Sequence, residues 1–274
     1  MVDIQHIPAR ELSDYIAAYW VRKSEPAAEY SGRRVYADGC ADLIFNAGNS
    51  IVYFNPKARA EEVIPLYPRR LYLGGTMTAY GVVFSKPGSA LTGIRFRPGG
   101  FYAFYAMTME PVVDGVIEFH DDHLKGLMEK EEGLPDRLNT WFSRQSLARN
   151  RNHDFSVITR TVYRSGGQVS VDLLARQAHV SNRTLERRFK ENIGISPKEF
   201  LQIVRFQEVL KRLQPAGEGN GSLTLSEESL FRIAVEFGYY DHAHLTNEFK
   251  KYSGILPSEL SHFYKTGIAG SQYF

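Results

Sequence analysis

One cysteine, Cys40, stands in 274 residues. That scarcity excludes an internal disulfide framework and fits a reducing compartment. No run of eighteen apolar residues occurs, so a membrane span is not expected. The opening "MVDIQHIPARELSDYIAAYW" lacks the basic start and apolar block of a secretory leader, and a cytoplasmic protein is expected. Net charge is also scant, +2, which by itself favours no partner.

What is present is core-forming material: 43% hydrophobic and 13% aromatic residues, enough for two domains that each bury a core. Charge, sparse overall, is concentrated locally. Between residues 160 and 190 lie Arg160, Arg164, Arg176, Arg183, Arg187, Arg188 and Lys190 against Asp172 and Glu186, an excess of five positive charges. Such a patch is either a solvated face or an electrostatic footprint for nucleic acid.

Residues 33–97 alternate β-rich runs ("RRVYAD", "ADLIFNAGNSIVYFN", "RRLYLGG", "YGVVFSKPG", "LTGIRFRPGG") with Asp-Gly, Asn-Pro, Gly-Gly and Pro-Gly breaks. A strand-dominated barrel or sandwich is expected there. Leu12, Tyr15, Ile16 and Tyr19 fall at helical spacing after Pro8, which predicts a helix over Glu11–Trp20. After residue 100 the spacing turns helical, and the polar "ARNRNHD" of residues 148–154 reads as a linker. The chain divides accordingly into a β-rich domain with C-terminal helices at 1–150, an all-α domain at 151–266 and a tail at 267–274. The fold class is α+β.

The helical part says the same thing twice. "TLERRFKENIGISPKEF" (184–200) returns as "HLTNEFKKYSGILPSEL" (244–260), with Leu185, Phe189, Lys190, Gly194, Ile195, Pro197 and Glu199 matched sixty residues on. A fixed offset reports a repeated supersecondary unit. Each copy reads as a helix-turn-helix: "SVDLLARQAH" and "RTLERRFKENIG" in the first, "LFRIAVEFG" and "HAHLTNEFKKYSG" in the second. Ser170, Ser181, Ser196 and Asp241 occupy N-cap positions, Leu173, Leu174 and Ala175 face inward, and Glu199 completes a capping box with Ser196. A long helix from Pro197 joins the units, followed by the Gly-rich "QPAGEGNGS".

These motifs, "LAxxxxVSxRTLxRxFK", "GISPxxFLxxxRxxxxLxxL" and "IAxxFGYxDxxHLxxxFKxxxG" in order, resemble the DNA-binding domain of the AraC/XylS family of transcription regulators over residues 154–264. The resemblance implies a regulator that reads two successive major grooves of promoter DNA, one per recognition helix, roughly 34 Å apart. It also implies RNA polymerase as a partner, a second copy as another, and a β-rich N-terminal module of cupin-like character that senses a small effector. The stretch from Gln214 to Glu228 is longer than the family places between its two units.

Matched to that pattern, Arg183, Glu186 and Arg187 fall on base-facing positions of the first recognition helix. Arginine grips guanine bidentately and glutamate accepts from cytosine. Arg188 and Lys190 are expected at phosphates. His242, Ala243, His244 and Asn247, with Lys250, are the counterparts on the second helix. Asn247 suits adenine, and the lack of an arginine predicts weaker binding by this unit.

For an effector, Tyr36, Phe45, Tyr53, Phe84 and Phe96 are candidate pocket walls, with Arg95 or Arg97 as an anion partner; strand aromatics equally serve as core. Arg95 and Arg97 share one strand face. Metal readings are thin: His242 and His244 diverge on a helix, and "HDDH" (120–123) suits a helix start as well as a metal. No cofactor is expected. The chemical alternative is a DNA-acting enzyme, such as one repairing alkylated bases, with Cys40 as nucleophile. The regulator reading entails no enzymatic activity.

Overall fold

A computed structural model describes residues 2–24, 31–56, 63–145, 155–214 and 227–260. The expected linker at 148–154 and most of the Gln214–Glu228 stretch lie outside these described residues. The chain begins with β1 (Val2–His6), a 3-10 turn (Arg10–Leu12) and β2 (Ile16–Lys23). Then come β3 (Ser31–Val35), β4 (Ala41–Asn46), β5 (Val52–Pro56), β6 (Ile64–Leu66), β7 (Leu71–Gly74), β8 (Gly81–Ser85) and β9 (Ala90–Phe96). Helix α1 (Gly100–Tyr105), β10 (Val116–Glu118), α2 (Asp122–Met128) and α3 (Leu134–Arg144) follow.

The expected helix at Glu11–Trp20 is a correction. Only a 3-10 turn forms, and "IAAYWVRK" is a central strand paired to β1 on one side and β9 on the other. A strand covered on both faces reads as a continuous apolar run, and here that run coincides with helical spacing. Strands β1, β6 and β10, short or at sheet edges, carry no sequence signal of their own.

Antiparallel pairing gives a six-stranded sheet, β1-β2-β9-β4-β7-β10, and a four-stranded sheet, β3-β8-β5-β6. Alternation divides the larger sheet cleanly. Tyr19, Leu43, Phe45, Leu73, Ile94 and Phe96 pack under α1, α2 and α3 with Phe101, Leu138 and Phe142. Their neighbours Trp20, Tyr72 and Leu91 face the smaller sheet and meet Val52 and Leu66. The result is a sandwich, one of the two β architectures expected.

Gly93 sits opposite Trp20 in the β2–β9 ladder, and a Cβ there would drive into the indole. The ring is pinned by its Nε1 donating to Asp42 Oδ1 at 3.0 Å, so neither partner can yield.

The helical region holds α4 (Phe155–Arg164), α5 (Val171–Gln177), α6 (Asn182–Asn192), α7 (Pro197–Leu213), α8 (Glu227–Glu236) and α9 (His242–Ser253). Helices α5–α6 and α8–α9 are the two helix-turn-helix units, with the second turn longer by one residue. Ser170, Ser181, Ser196 and Asp241 cap as expected, accepting from the backbone N–H of Leu173, Thr184, Glu199 and His244.

Two expectations fail locally. Leu173 is 39% exposed, because α5 turns Leu174 and Ala175 inward instead. Glu199 does not close a capping box: its carboxylate accepts from Lys251 Nζ (2.7 Å) and Tyr252 Oη (2.8 Å), tying α7 to α9.

Helix α7, about 25 Å long at 1.5 Å per residue, buries Phe200, Ile203, Val204, Phe206, Val209 and Leu210 in a core shared by both units.

Gly93→Ala is expected to destabilise the protein by about 1–3 kcal/mol, the range for overpacking a filled core, measured by urea unfolding. An unchanged midpoint would contradict the packing described for Trp20.

Candidate nucleic-acid interface

Leu185 and Phe189 anchor α6 in the core, and this fixes which residues it presents to solvent. Arg183, Glu186 and Arg187 are exposed together on the opposite side. Arg187 Nη1 pairs with Glu191 Oε1 at 2.8 Å, one helical turn along. That exposed i,i+4 pair contributes a few tenths of a kcal/mol and readily exchanges for another anion.

Arg188 and Lys190 are placed otherwise than expected. Arg188 is half-buried, with its Nη1 inside and without a hydrogen-bond partner among the described residues. It lies three residues after Leu185, on the edge of the buried stripe; its counterpart sixty residues on, Glu248, is buried too. Lys190 reaches Glu110 of the β-rich part at 3.2 Å.

On α9, His242, Ala243, His244, Asn247 and Lys250 are all exposed, while Leu245 and Phe249 hold the helix down. His244 Nε2 lies 3.4 Å from Glu248 Oε1, and Gln202 Nε2 donates to the same oxygen at 2.6 Å. Glu248 therefore tethers α9 to α7 from beneath. Glu110, Glu191 and Glu248, which order the basic and polar groups of both helices, were not singled out from the sequence. Glu191 and Glu248 had a detectable signal, their i,i+4 spacing to Arg187 and His244.

The C-terminal ends of α6 and α9 are both occupied by the sandwich. Met109 N–H donates to the Glu191 carbonyl at 3.0 Å. Gly194, at φ 92°, packs so closely on Val113 and Met109 that a Cβ would collide with both. Sixty residues on, Arg34 Nη1 donates to the Ser253 carbonyl at 2.9 Å, and Gly254 at φ 75° leaves no room for a Cβ against Tyr80 and Arg34. Gln207 Nε2, from α7, donates to the Ala37 carbonyl at 2.5 Å.

Between the two sheets lies a cavity of about 80 Å³. Apolar walls come from Val35, Ile44, Phe54, Met77, Val83 and Leu91, with Trp20, Arg22, Asp42 and Arg95 as its polar part. Arg95 is ion-paired with Asp38 and, at 2.8 Å, with Asp42. Arg22 pairs with Asp3 at 3.2 Å, and Asp3 also takes Arg33 at 3.0 Å. Burial pushes the Asp42 carboxyl up, while the Trp20 N–H and Arg22 work the other way. The net result is a carboxyl pushed up to about 7, with the 2.8 Å contact to Arg95 favouring its ionised form.

Of the residues expected to line a pocket, Arg95 alone does. Tyr36 is in the helical core, edge-on to Phe206 at 6.3 Å. Phe45 and Phe96 are under the sandwich's own helices. Tyr53 and Phe84 pair across β5 and β8 beside Phe54 and Val83, on the face away from the cavity. Arg97 is exposed, its Nε donating to the Ser13 carbonyl at 2.7 Å.

In "HDDH", Asp121 caps α2 by accepting from Leu124 N–H at 2.8 Å, and His123 packs on the Trp141 ring, 4.3 Å between centroids. Cys40 is half-buried, and burial, with Asp42 nearby, pushes its thiol up to about 12. A nucleophilic cysteine needs the opposite shift.

Two stretches of the chain match known families. Residues 4–118 match a family described as a domain of unknown function (DUF6597), and residues 174–262 one described as a helix-turn-helix domain. An uncharacterized HTH-type transcriptional regulator of Haemophilus influenzae is 34% identical over 89 residues, 32% of this chain and 26% of that protein. The HTH-type transcriptional activator RhaS of Pectobacterium atrosepticum is 32% identical over 89 residues, 32% of this chain and 28% of its own. The chain thus matches only about a quarter of the length of these relatives. Among solved structures, ToxT from Vibrio cholerae aligns over 88% of this chain and 97% of its own, at 10% identity and a TM-score of 0.48. The helix-turn-helix match thus falls on the residues that carry the ordered motifs of the AraC type.

Proposed function

We propose that the chain is a sequence-specific DNA-binding transcription regulator that uses α6 and α9 as recognition helices in successive major grooves and responds to a small effector in its sandwich. The observation that carries this reading is the shared orientation of the two units. Each buries its Leu and Phe anchors in the α7 core and leaves the first turns of its second helix, with Arg183, Glu186 and Arg187 or His242, Ala243, His244 and Asn247, open to solvent. Arg183 and Arg187 contact bases in one groove and Asn247 in the next; Lys250 lies at a phosphate. Lys190 reaches DNA only by leaving Glu110.

On this reading residues 1–150 sense and dimerise, residues 151–266 bind promoter DNA, and RNA polymerase is the partner that makes binding consequential. The reducing cytoplasm is where it works. The names of the relatives, a transcriptional regulator and an activator, support the regulator class. The inter-sheet cavity supports the effector.

Selection of duplexes from a random pool by the full-length protein is expected to enrich two patches about one helical turn apart. A single patch would mean that only one unit reads bases. Arg187→Ala is expected to weaken binding to the selected site by about 1–3 kcal/mol and to relax preference at one position; an equal loss on random DNA would contradict base contact. Against a Cys40 enzyme, the thiol is expected to resist iodoacetamide at pH 8 in the folded protein and react promptly in urea. Rapid native labelling, or alkyl transfer from methylated DNA to Cys40 seen by mass spectrometry, would reopen that alternative.

A further inference from the structure

The cavity between the sheets has a definite chemistry and a single soft wall. Two arginines stand at its polar end, Arg22 and Arg95, and carboxylates answer both: Asp38 and Asp42 at Arg95, and Asp3, which also takes Arg33 behind the wall, at Arg22. The side chains of Arg22 and Arg95 are 7% and 4% exposed, so both guanidinium groups already have carboxylate partners in a place that admits little solvent. A ligand carboxylate entering here would add an uncompensated buried charge or would have to expel Asp38 or Asp42 from Arg95. The remaining walls are aliphatic or aromatic. The site selects an uncharged, mainly apolar molecule.

Its size decides what must move. At about 80 Å³ the cavity is roughly half the ~150 Å³ in which an engineered apolar cavity admits benzene. Ile44, Phe54, Val83 and Leu91 are held in ladders of paired strands. Met77 is outside the strands, unbranched and able to change rotamer at low cost. It lines the cavity and also packs on the core of the DNA-binding helices, alongside Tyr80 and Val113. Tyr80 abuts Gly254 at the end of α9, and Val113 abuts Gly194 at the end of α6. On the same side, the cavity-lining Gly75 is packed on the Val112 carbonyl, within the segment that holds α6.

We infer that the inter-sheet cavity binds a small uncharged apolar molecule, of the size of a single aromatic ring, and that Met77 transmits its presence to both recognition helices. The inference rests on the regulator reading and deepens it by naming the effector's chemistry and the side chain through which it acts. Met77 must swing out of the cavity to admit a ring, and the helical core is what it presses on.

The test uses the full chain, benzene as the probe and benzoate as its charged counterpart. Benzene is expected to raise the melting temperature in a saturable manner and to change affinity for the selected duplex about fivefold or more; benzoate is expected to do neither. Met77→Ala enlarges the cavity and removes the lever, so it is expected to retain or strengthen benzene binding while its affinity for DNA no longer responds. Stabilisation by benzoate rather than benzene would overturn the ligand class. Benzene binding with unchanged DNA affinity in the wild type, or an undiminished response in Met77→Ala, would overturn the coupling. The wild-type arms do not depend on the variant folding. Thermal stabilisation by benzene in a protein that selects no DNA sequence would refute the regulator reading while upholding the cavity.

Discussion

Burial of α7 is the constraint on which the rest depends. Its apolar residues are shared: Phe200 packs with Phe189 of the first unit at 5.8 Å, and Phe206 with Phe249 and Tyr252 of the second at 5.4 and 5.3 Å. Phe206 also meets Tyr36, from the sandwich. One helix thus serves as core to three bodies, and none of them can shift relative to it without exposing large aromatic surface. At about 25 cal/mol per Å², partial exposure of even one such ring costs more than any surface ion pair here can return. The direction in which α6 and α9 face is therefore a property of packing, with the salt bridges of Arg187 and Lys190 as adjustable additions.

The same logic, with charge in place of apolar area, governs the sandwich. A larger sheet covered by helices on one face and by a second sheet on the other has no solvated side on which to place polar groups. Arg22, Asp42 and Arg95 are nevertheless on the inner face of β2, β4 and β9. They persist because each arginine has a carboxylate partner and the Trp20 N–H has Asp42. Removing one member would leave a buried charge alone, a cost of roughly 3–5 kcal/mol. Such a cluster is a poor source of stability and a strong filter on what can enter beside it.

How much of this was readable from the residues follows the same division between long-period and single-residue information. The repeat, the caps and the two helix-turn-helix units are written as spacing over dozens of positions, and they appear where the spacing puts them. The sandwich was readable as a class and not in phase. Four aromatics expected at a pocket, Tyr36, Phe45, Tyr53 and Phe84, each stand one residue from a true lining residue: Val35, Ile44, Phe54 and Val83. Strand periodicity is two, so a displacement of one residue exchanges the faces. Aromatic character attracts attention, yet the helix-covered face and the helical core took Phe45 and Tyr36, and smaller side chains line the space. Glu110 was hidden, and Glu199 was given the wrong partner, for a different reason: their true partners come from elements distant in the chain.

The seven identities that link the two repeats are explained in part by this geometry. Leu185 and Leu245, with Phe189 and Phe249, are core. Gly194 and Gly254 answer two demands at once. Each carries a positive φ just past its helix and donates its N–H back to the last turn, to Phe189 and Lys250 respectively, which is how a helix is stopped. Each also allows the sandwich to approach within a distance that a Cβ would forbid. The first demand belongs to the helix-turn-helix unit alone; the second arises only because a β domain packs against it. Since the sandwich meets the two turns with different residues, Val113 and Met109 at one and Arg34 and Tyr80 at the other, identical handles are held by unlike grips. A movement within the sandwich will therefore not act equally on the two helices, and α9, the recognition helix without an arginine, is held by the grip that contains one.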